Sequence, residues 1–321
     1  MNAVRNLKIS VCVRFIGVME VALFLSVIFP VMGFFGKTYW LFDLFSHFRL
    51  QYIAYFVVAG LVFFFLKRMR VFLFCCVMTL VLAAPLWPYY FSGKSAAHEK
   101  PIKVISFNVN SANTNFAGIR KFLISENADV VLLLELSPAM LRETEELHTR
   151  YPYRIEEPRL DNFGIAVFSK HPFRSREVHS FGDSEIPYVE FEVAIDGGSY
   201  RFFGVHTLPP VGAAASAARN DELHEISRAM RARHDESVIM MGDFNMSAFS
   251  PWFAEILGNT GVKDSACGFG ISLTWMRSSW VFAIPIDQML ISAPLDVLTR
   301  SIGNDYGSDH NPLIVEVAKR K

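Results

Sequence analysis

Residues 15–36, 50–66 and 71–91 are three long apolar runs, FIGVMEVALFLSVIFPVMGFFG, LQYIAYFVVAGLVFFFL and VFLFCCVMTLVLAAPLWPYYF. Each holds about 17–22 residues, roughly the length that carries a helix across the hydrocarbon core of a bilayer. A chain that is 52% hydrophobic is too apolar for an entirely soluble protein of 321 residues, and the excess sits before Phe91. The expectation is a membrane domain of three transmembrane helices over 1–91. A cleaved signal peptide fits the first run poorly, because the run is longer than a signal core and lacks a small-x-small site.

The charges divide at the same place. Up to Phe91 there are 8 Lys and Arg against 2 acids (Glu20 and Asp43), and from Ser92 onward 23 against 29. A net charge of zero therefore hides halves of +6 and −6. Arg5, Lys8 and Arg14 precede the first run, and Lys67, Arg68 and Arg70 fill the connection between the second and third. Basic residues favour the cytoplasmic side, so three crossings put the C-terminal half outside. Glu20 is costly inside a span unless paired or protonated, and helix packing or a near-interface position is the expected reason for it. The aromatic stretch 37–49 suits the membrane–water interface.

Residues 92–100 (SGKSAAHEK) are small and polar and read as a linker to a domain over 101–321. Of four cysteines only Cys267 lies in that domain, so neither a disulfide framework nor a cysteine zinc site is available there. Strand and helix patterns alternate, implying α/β or α+β layers. Strands are expected in IKVISFNVN, ADVVLLLEL, 164–168, 188–195, 200–206, SVIMM, TWM, IDQMLIS, LDVLTRS and NPLIVEVA. Helices are expected over 116–127, 138–148 and 213–232.

Several of these apolar strands end in a polar residue. Asn108 closes VISFN, Glu135 interrupts VVLLLEL, His206 follows FFGV, and Asp243 and Asn245 end SVIMMGDFN. Asp287 follows AIPI, and Ser308-Asp309-His310 precedes PLIVEV. Taken singly, each is as well explained by a turn, a cap or a satisfied core position. In order, N…E…H…GDxN…D…SDH resembles the endonuclease/exonuclease/phosphatase superfamily over about 101–318. That resemblance implies a four-layer αββα sandwich of the deoxyribonuclease-like kind, with its site where loops at one sheet edge converge.

The chemistry of phosphoester hydrolysis accounts for the residue types. A hard cation, Mg²⁺ or Mn²⁺, offsets phosphate charge and prefers carboxylate oxygens. Glu135 is the first choice as metal ligand, and the resemblance implies that Asp309 can add a second contact. Asp243 is placed to deprotonate the attacking water, and Asn245, two residues along the same strand edge, to hydrogen-bond the phosphorane. Asn108 would orient Glu135 or touch the phosphate. His310 with Asp287 reads as a supported imidazole, base or phosphate clamp, and His206 as the leaving-group acid. Arg219, Thr274 and Trp275 are candidate substrate contacts, each also explicable as a salt-bridged or core residue. Two positions depart from the common family pattern: LLEL stands where Gln-Glu is frequent, and Gln288 follows Asp287 where His or Tyr is frequent.

A nucleic-acid enzyme should carry a basic footprint, and this domain is acidic overall, so nucleic acid is the disfavoured substrate. Three N-terminal spans with HTLPP…R…GDFN…PID…SDH resemble the bacterial membrane-anchored subgroup linked to teicoplanin resistance. That layout implies an inner-membrane protein with its catalytic domain periplasmic or extracellular. The implied substrate is a lipid-linked phosphate such as undecaprenyl pyrophosphate. A phospholipid or sphingomyelin phosphodiesterase, a nuclease, and a non-catalytic membrane scaffold are the alternatives.

Overall fold

The structure, a computed structural model, describes residues 2–91, 99–182, 185–196, 198–233, 236–276 and 278–320. The expected linker falls almost wholly outside these residues. The chain forms two compact units, Met1–Trp87 and Pro88–Lys321.

The first unit is helical. It runs through α1 (Asn2–Ser26), α2 (Ile28–Phe34), α3 (Trp40–Ser46), α4 (Arg49–Phe65) and α5 (Met69–Ala83), and the short α6 (Trp87–Tyr90) spans the boundary to the second unit. Leu23, Phe56, Phe63, Cys75 and Leu82 pack into its small core. The packing of α4 on α5 is close at Gly60, where an added Cβ would stand 3.2 Å from the Cys75 Cβ. Glu20 is paired with Arg68, Oε1 to Nε at 3.4 Å, which gives the intra-span acid its partner. Arg14–Phe34 and Met69–Tyr90 are long and apolar enough to cross a membrane. The third candidate differs from the expected straight span. Its 17-residue helix α4 is short, and it qualifies only when joined to α3, from which it is bent by 59°. Two crossings, or three if the bent pair counts as one, are what length and composition support.

The second unit is built on two six-stranded mixed sheets. The first contains β1 (Ile102–Asn108), β2 (Val130–Leu134), β3 (Tyr153–Glu157), β4 (Ile165–Ser169), β11 (Leu295–Ile302) and β12 (Leu313–Lys319), in the order β11-β12-β1-β2-β4-β3. The second contains β5 (Phe173–Ser180), β6 (Pro187–Ile195), β7 (Gly198–His206), β8 (Val238–Asp243), β9 (Lys263–Asp264) and β10 (Asp287–Ile291), in the order β5-β6-β7-β8-β10-β9.

The layering follows from alternation along the strands. In β2, Val130, Leu132 and Leu134 enter a core shared with the second sheet, while Val131 and Leu133 face a second core with α7 (Phe116–Glu126) and α8 (Pro138–Glu143). In β8, Ile239 and Met241 face the shared core, while Val238 and Met240 face α9 (Ala213–Arg231) and α10 (Pro251–Thr260). Helices therefore cover both outer faces of an α/β sandwich.

Local signals support the helices. Asn115 caps α7 through its side chain, and Ser137 and Ser250 cap α8 and α10, each followed by Pro at the first turn. Four expectations are corrected. TWM forms no strand; Trp275 makes only isolated bridges to Ile284 and His310. The helix α10 stands in a stretch with no assigned element, and the edge strands β3, β5 and β9 are additional; the helix expected over 138–148 ends at Glu143 and continues as a 3-10 turn over Glu145–Thr149. Edge strands carry little apolar alternation, and β5 is mostly exposed, so the pattern that reveals a core strand is missing there.

Candidate active site

Strand register brings the polar strand ends together. β1 and β2 run parallel with Asn108 opposite Leu134, so Glu135 emerges beside Asn108. β7 and β8 run parallel with His206 opposite Asp243, and antiparallel β10 sets Asp287 opposite Asp243 from the other side. The 308–311 loop then enters β12, which pairs with β1. All the carboxylates and imidazoles therefore gather at one rim of the sandwich.

Asn108 connects the two halves of the site. Its Nδ2 donates to Glu135 Oε1 at 2.9 Å and to Asp243 Oδ2 at 3.2 Å. The Ser111 backbone N–H donates to Glu135 Oε2 at 3.1 Å. Glu135 itself is held at φ +58°, a left-handed conformation that disfavours a β-carbon and is tolerated here inside a network of hydrogen bonds. Asn110 (φ +62°) and Asn245 (φ +46°) share this strain. Clustering of such conformations is characteristic of functional rims.

Asp243 is buried. Burial pushes its carboxyl up toward neutrality, against the pull of the His310 charge. Its Oδ1 accepts from the Asn245 backbone N–H at 2.9 Å, and its Oδ2 lies 3.6 Å from His310 Nε2 and 3.7 Å from His206 Nε2. His310 Nδ1 meets Asp287 Oδ2 at 2.8 Å. Burial opposes charge on that imidazole, but Asp287 and Asp243 outweigh it and raise it to about 10. His310 is thus an imidazolium at neutral pH, a cation rather than a free base. Ser308 locks its loop, donating from Oγ to the Asn108 carbonyl at 2.7 Å and accepting from the His310 N–H at 3.0 Å.

His206 is brought into the cluster with a different character from the expected acid. Burial, followed by the nearby His310 charge, pushes it down to about 4, so it is neutral at pH 7 and holds no spare proton for a leaving group. Its ring packs on Phe163 at 5.1 Å. Asn245 also reaches the site by another route than strand alternation. β8 ends at Asp243, and the left-handed turn after it points the Asn245 Nδ2 to the Thr207 carbonyl at 2.8 Å.

Gly242 lets β8 lie close against β7 just before that turn. A Cβ there would stand 1.9 Å from the Val205 carbonyl oxygen, and its φ is +145°. Gly242→Ala is expected to destabilise the domain by roughly 4 kcal/mol or more, read as a lowered denaturant midpoint.

The three candidate substrate contacts lie just behind the rim. Arg219 is fully buried; its Nη1 donates to the Asn245 carbonyl at 3.1 Å, supporting the GDFN turn from within. Arg219→Met is expected to cost about 1–3 kcal/mol of stability, measured by chemical denaturation, with turnover falling as Asn245 loosens. Thr274 is buried, and its Oγ1 accepts from the Asp287 N–H at 3.2 Å. Trp275 donates from Nε1 to Asp309 Oδ2 at 2.9 Å, so it aims the acid. Asn110 does the same from the other side, Nδ2 to Asp309 Oδ1 at 2.7 Å. Asn110 and Ser111 were not among the sequence candidates. The only clue is the N-V-N spacing after β1, which any polar loop could show.

A divalent cation fits the residues present. Glu135 and Asp309 are hard oxygen donors, each oxygen fixed by one hydrogen bond and left with further lone-pair capacity. The tightest cluster of ligand-type groups among the described residues is a different one, Asp243, Asp287 and His310, within 4.8 Å of one another. There the Asp287 and Asp243 carboxylates favour positive charge on His310, whereas Glu135 and Asp309 offer oxygen donors that need displace no internal ion pair.

A model of the Endonuclease/Exonuclease/phosphatase family matches residues 105–310. The chain belongs to that family. Its members are hydrolases of phosphoester bonds that typically use divalent metals. Among curated relatives, a phospholipase C of Staphylococcus aureus is 26% identical over 126 residues, 35% of this chain and 38% of that protein. The match thus spans well under half the relative's length. Among solved structures, Danio rerio TDP2 with a single-strand DNA product shares 20% identity and a TM-score of 0.58, covering 68% of this chain and 99% of that one. Sphingomyelinase C of Streptomyces griseocarneus shares 17% identity and a TM-score of 0.51, with 68% and 99% coverage. These structural likenesses establish the family's sandwich fold for the second unit.

Proposed function

We propose that this protein is a membrane-anchored, divalent-metal-dependent phosphohydrolase. In this reading it cleaves a phosphoester or pyrophosphate bond on a lipid-linked substrate, such as undecaprenyl pyrophosphate, at the outer face of a bacterial inner membrane. The observation that carries the proposal is the joining, in one chain, of a phosphoesterase site to helices long and apolar enough to cross a bilayer. Tethering raises the effective concentration of a substrate confined to that surface. If the bent α3–α4 pair counts as one span, three crossings with basic residues at Arg14 and at Lys67-Arg68 inside would put the domain outside, the layout expected of the teicoplanin-resistance-type subgroup.

The residues then have separate tasks. Asp243 orients the attacking water and takes its proton, helped by a carboxyl poised near neutrality. The His310 imidazolium, fixed by Asp287, binds a phosphate oxygen as negative charge builds. Asn245 has a second amide hydrogen to offer the phosphorane, and Asn108 keeps Glu135 and Asp243 in register. Glu135, with Asp309 as second contact, would hold Mg²⁺ or Mn²⁺, and the bound cation would supply positive charge to the phosphate and the leaving oxygen.

A second reading, a phospholipid or sphingomyelin phosphodiesterase, draws on the likenesses to a phospholipase C and a sphingomyelinase C. The TDP2 likeness points to nucleic acid, which the −6 charge from Ser92 onward opposes. The test is hydrolysis by full-length protein in detergent, read as phosphate from undecaprenyl pyrophosphate and phosphatidic acid, phosphocholine from sphingomyelin and strand cleavage of DNA. Preferential release from the polyprenyl lipid is expected. Turnover of DNA alone overturns the lipid assignment, and a C-terminus found in the cytoplasm by reporter fusion overturns its outer-face location.

A further inference from the structure

Past residue 100, seven large apolar side chains stand exposed among the described residues, and five of them lie on three loops around the candidate site. Trp280, Val281 and Phe282 are 55%, 60% and 54% exposed, Leu160 is 94% exposed and Val211 is 79% exposed. The other two sit on edge strands β3 and β5.

Each loop is connected to the site. The 280–282 turn closes through Phe282 N–H to the Ser279 carbonyl and returns to the Trp275–Ile284 bridge, and Trp275 holds Asp309. The Leu160 loop carries Asn162, whose Oδ1 accepts from Ser111 Oγ at 2.7 Å, and Ser111 caps Glu135. Val211 follows Thr207, whose carbonyl accepts from Asn245. Three consecutive exposed apolar residues at a turn are a defect in a water-facing loop unless a partner takes them up.

We infer that these loops form a membrane-insertion rim, in which Trp280, Val281, Phe282, Leu160 and Val211 dip into the headgroup–acyl boundary of a phospholipid bilayer around the site mouth. The inference rests on the membrane-anchored reading above and extends it to how the site meets its surface. Composition favours a bilayer over a protein partner: Trp and Phe beside aliphatic residues are what anchors at the lipid interface use. The apolar residues are also discontinuous, carried on three separate loops, which a fluid surface can accept without shape complementarity. Arg159, next to Leu160, is forked onto Asp161, so the two charges offset each other.

The test uses the full-length chain in phosphatidylglycerol/phosphatidylethanolamine vesicles, in a background where the four cysteines are replaced. An environment-sensitive fluorophore is placed at Val281→Cys, with exposed Lys121→Cys on α7 as the comparison. Co-flotation with the vesicles is measured first. The expected result is a blue-shifted Val281 label, quenched by nitroxide lipids at least about threefold more than the Lys121 label. Co-floating protein whose two labels are equally water-like overturns the rim while leaving the anchor standing. Failure to co-float overturns the anchored reading on which the rim rests.

Discussion

Asp243→Asn is expected to lower phosphoester turnover by roughly 10²–10⁴-fold, the usual worth of a positioned general base, with the thermal unfolding curve little changed. The amide keeps the shape of the carboxyl, and its oxygen can still accept from the Asn245 N–H. What it loses is the ability to take a proton from water. Because burial raises the Asp243 carboxyl to about 7, wild-type activity is expected to climb as pH rises through neutrality and the base becomes ionised. The variant's residual rate should lack that limb. Steady-state rates across pH for both proteins decide the point, and an unchanged rate in the variant contradicts Asp243 as base.

His310→Gln is the second large effect. Loss of the imidazolium is expected to reduce turnover by about 10²–10³-fold, the scale seen for removing one preorganised group from developing charge. It also strips the buried Asp243 and Asp287 carboxylates of their cation. The folded imidazole is raised from 6.5 to about 10, so its stabilisation is fully present below 6.5 and is lost as pH rises through about 10. The gap in melting temperature between wild type and variant should therefore be widest in mild acid and close in alkali. A gap that widens with rising pH would contradict a charged His310.

Much of the site was legible because its residues interrupt apolar runs. Glu135 inside VVLLLEL and Asp243 after SVIMM stand out against buried strands, and their order carries the family resemblance. The expected set of polar strand ends does converge, because parallel pairing of β1 with β2 and of β7 with β8 aligns strand ends that are distant in sequence. Supporting roles were hidden for an equally physical reason. Nothing in a sequence distinguishes an Arg219 that braces a carbonyl from one that meets a phosphate, since both need a guanidinium near a helix start. The neutrality of His206 depends on burial beside a charged neighbour, a property of three dimensions. In the first unit, hydropathy located the apolar segments, but it carried no sign of the 59° bend between α3 and α4.

If Glu135 and its neighbours form a divalent-metal phosphohydrolase site for a lipid-borne phosphate, the full-length protein in detergent should release phosphate from undecaprenyl pyrophosphate at a rate that depends on both the metal and Glu135. The rate is measured with Mg²⁺, with Mg²⁺ removed by chelation, and for Glu135→Ala. The expected result is release that stops on chelation, returns with Mg²⁺ or Mn²⁺, and falls by at least about 100-fold in the variant. Release that survives both chelation and Glu135→Ala would contradict the account.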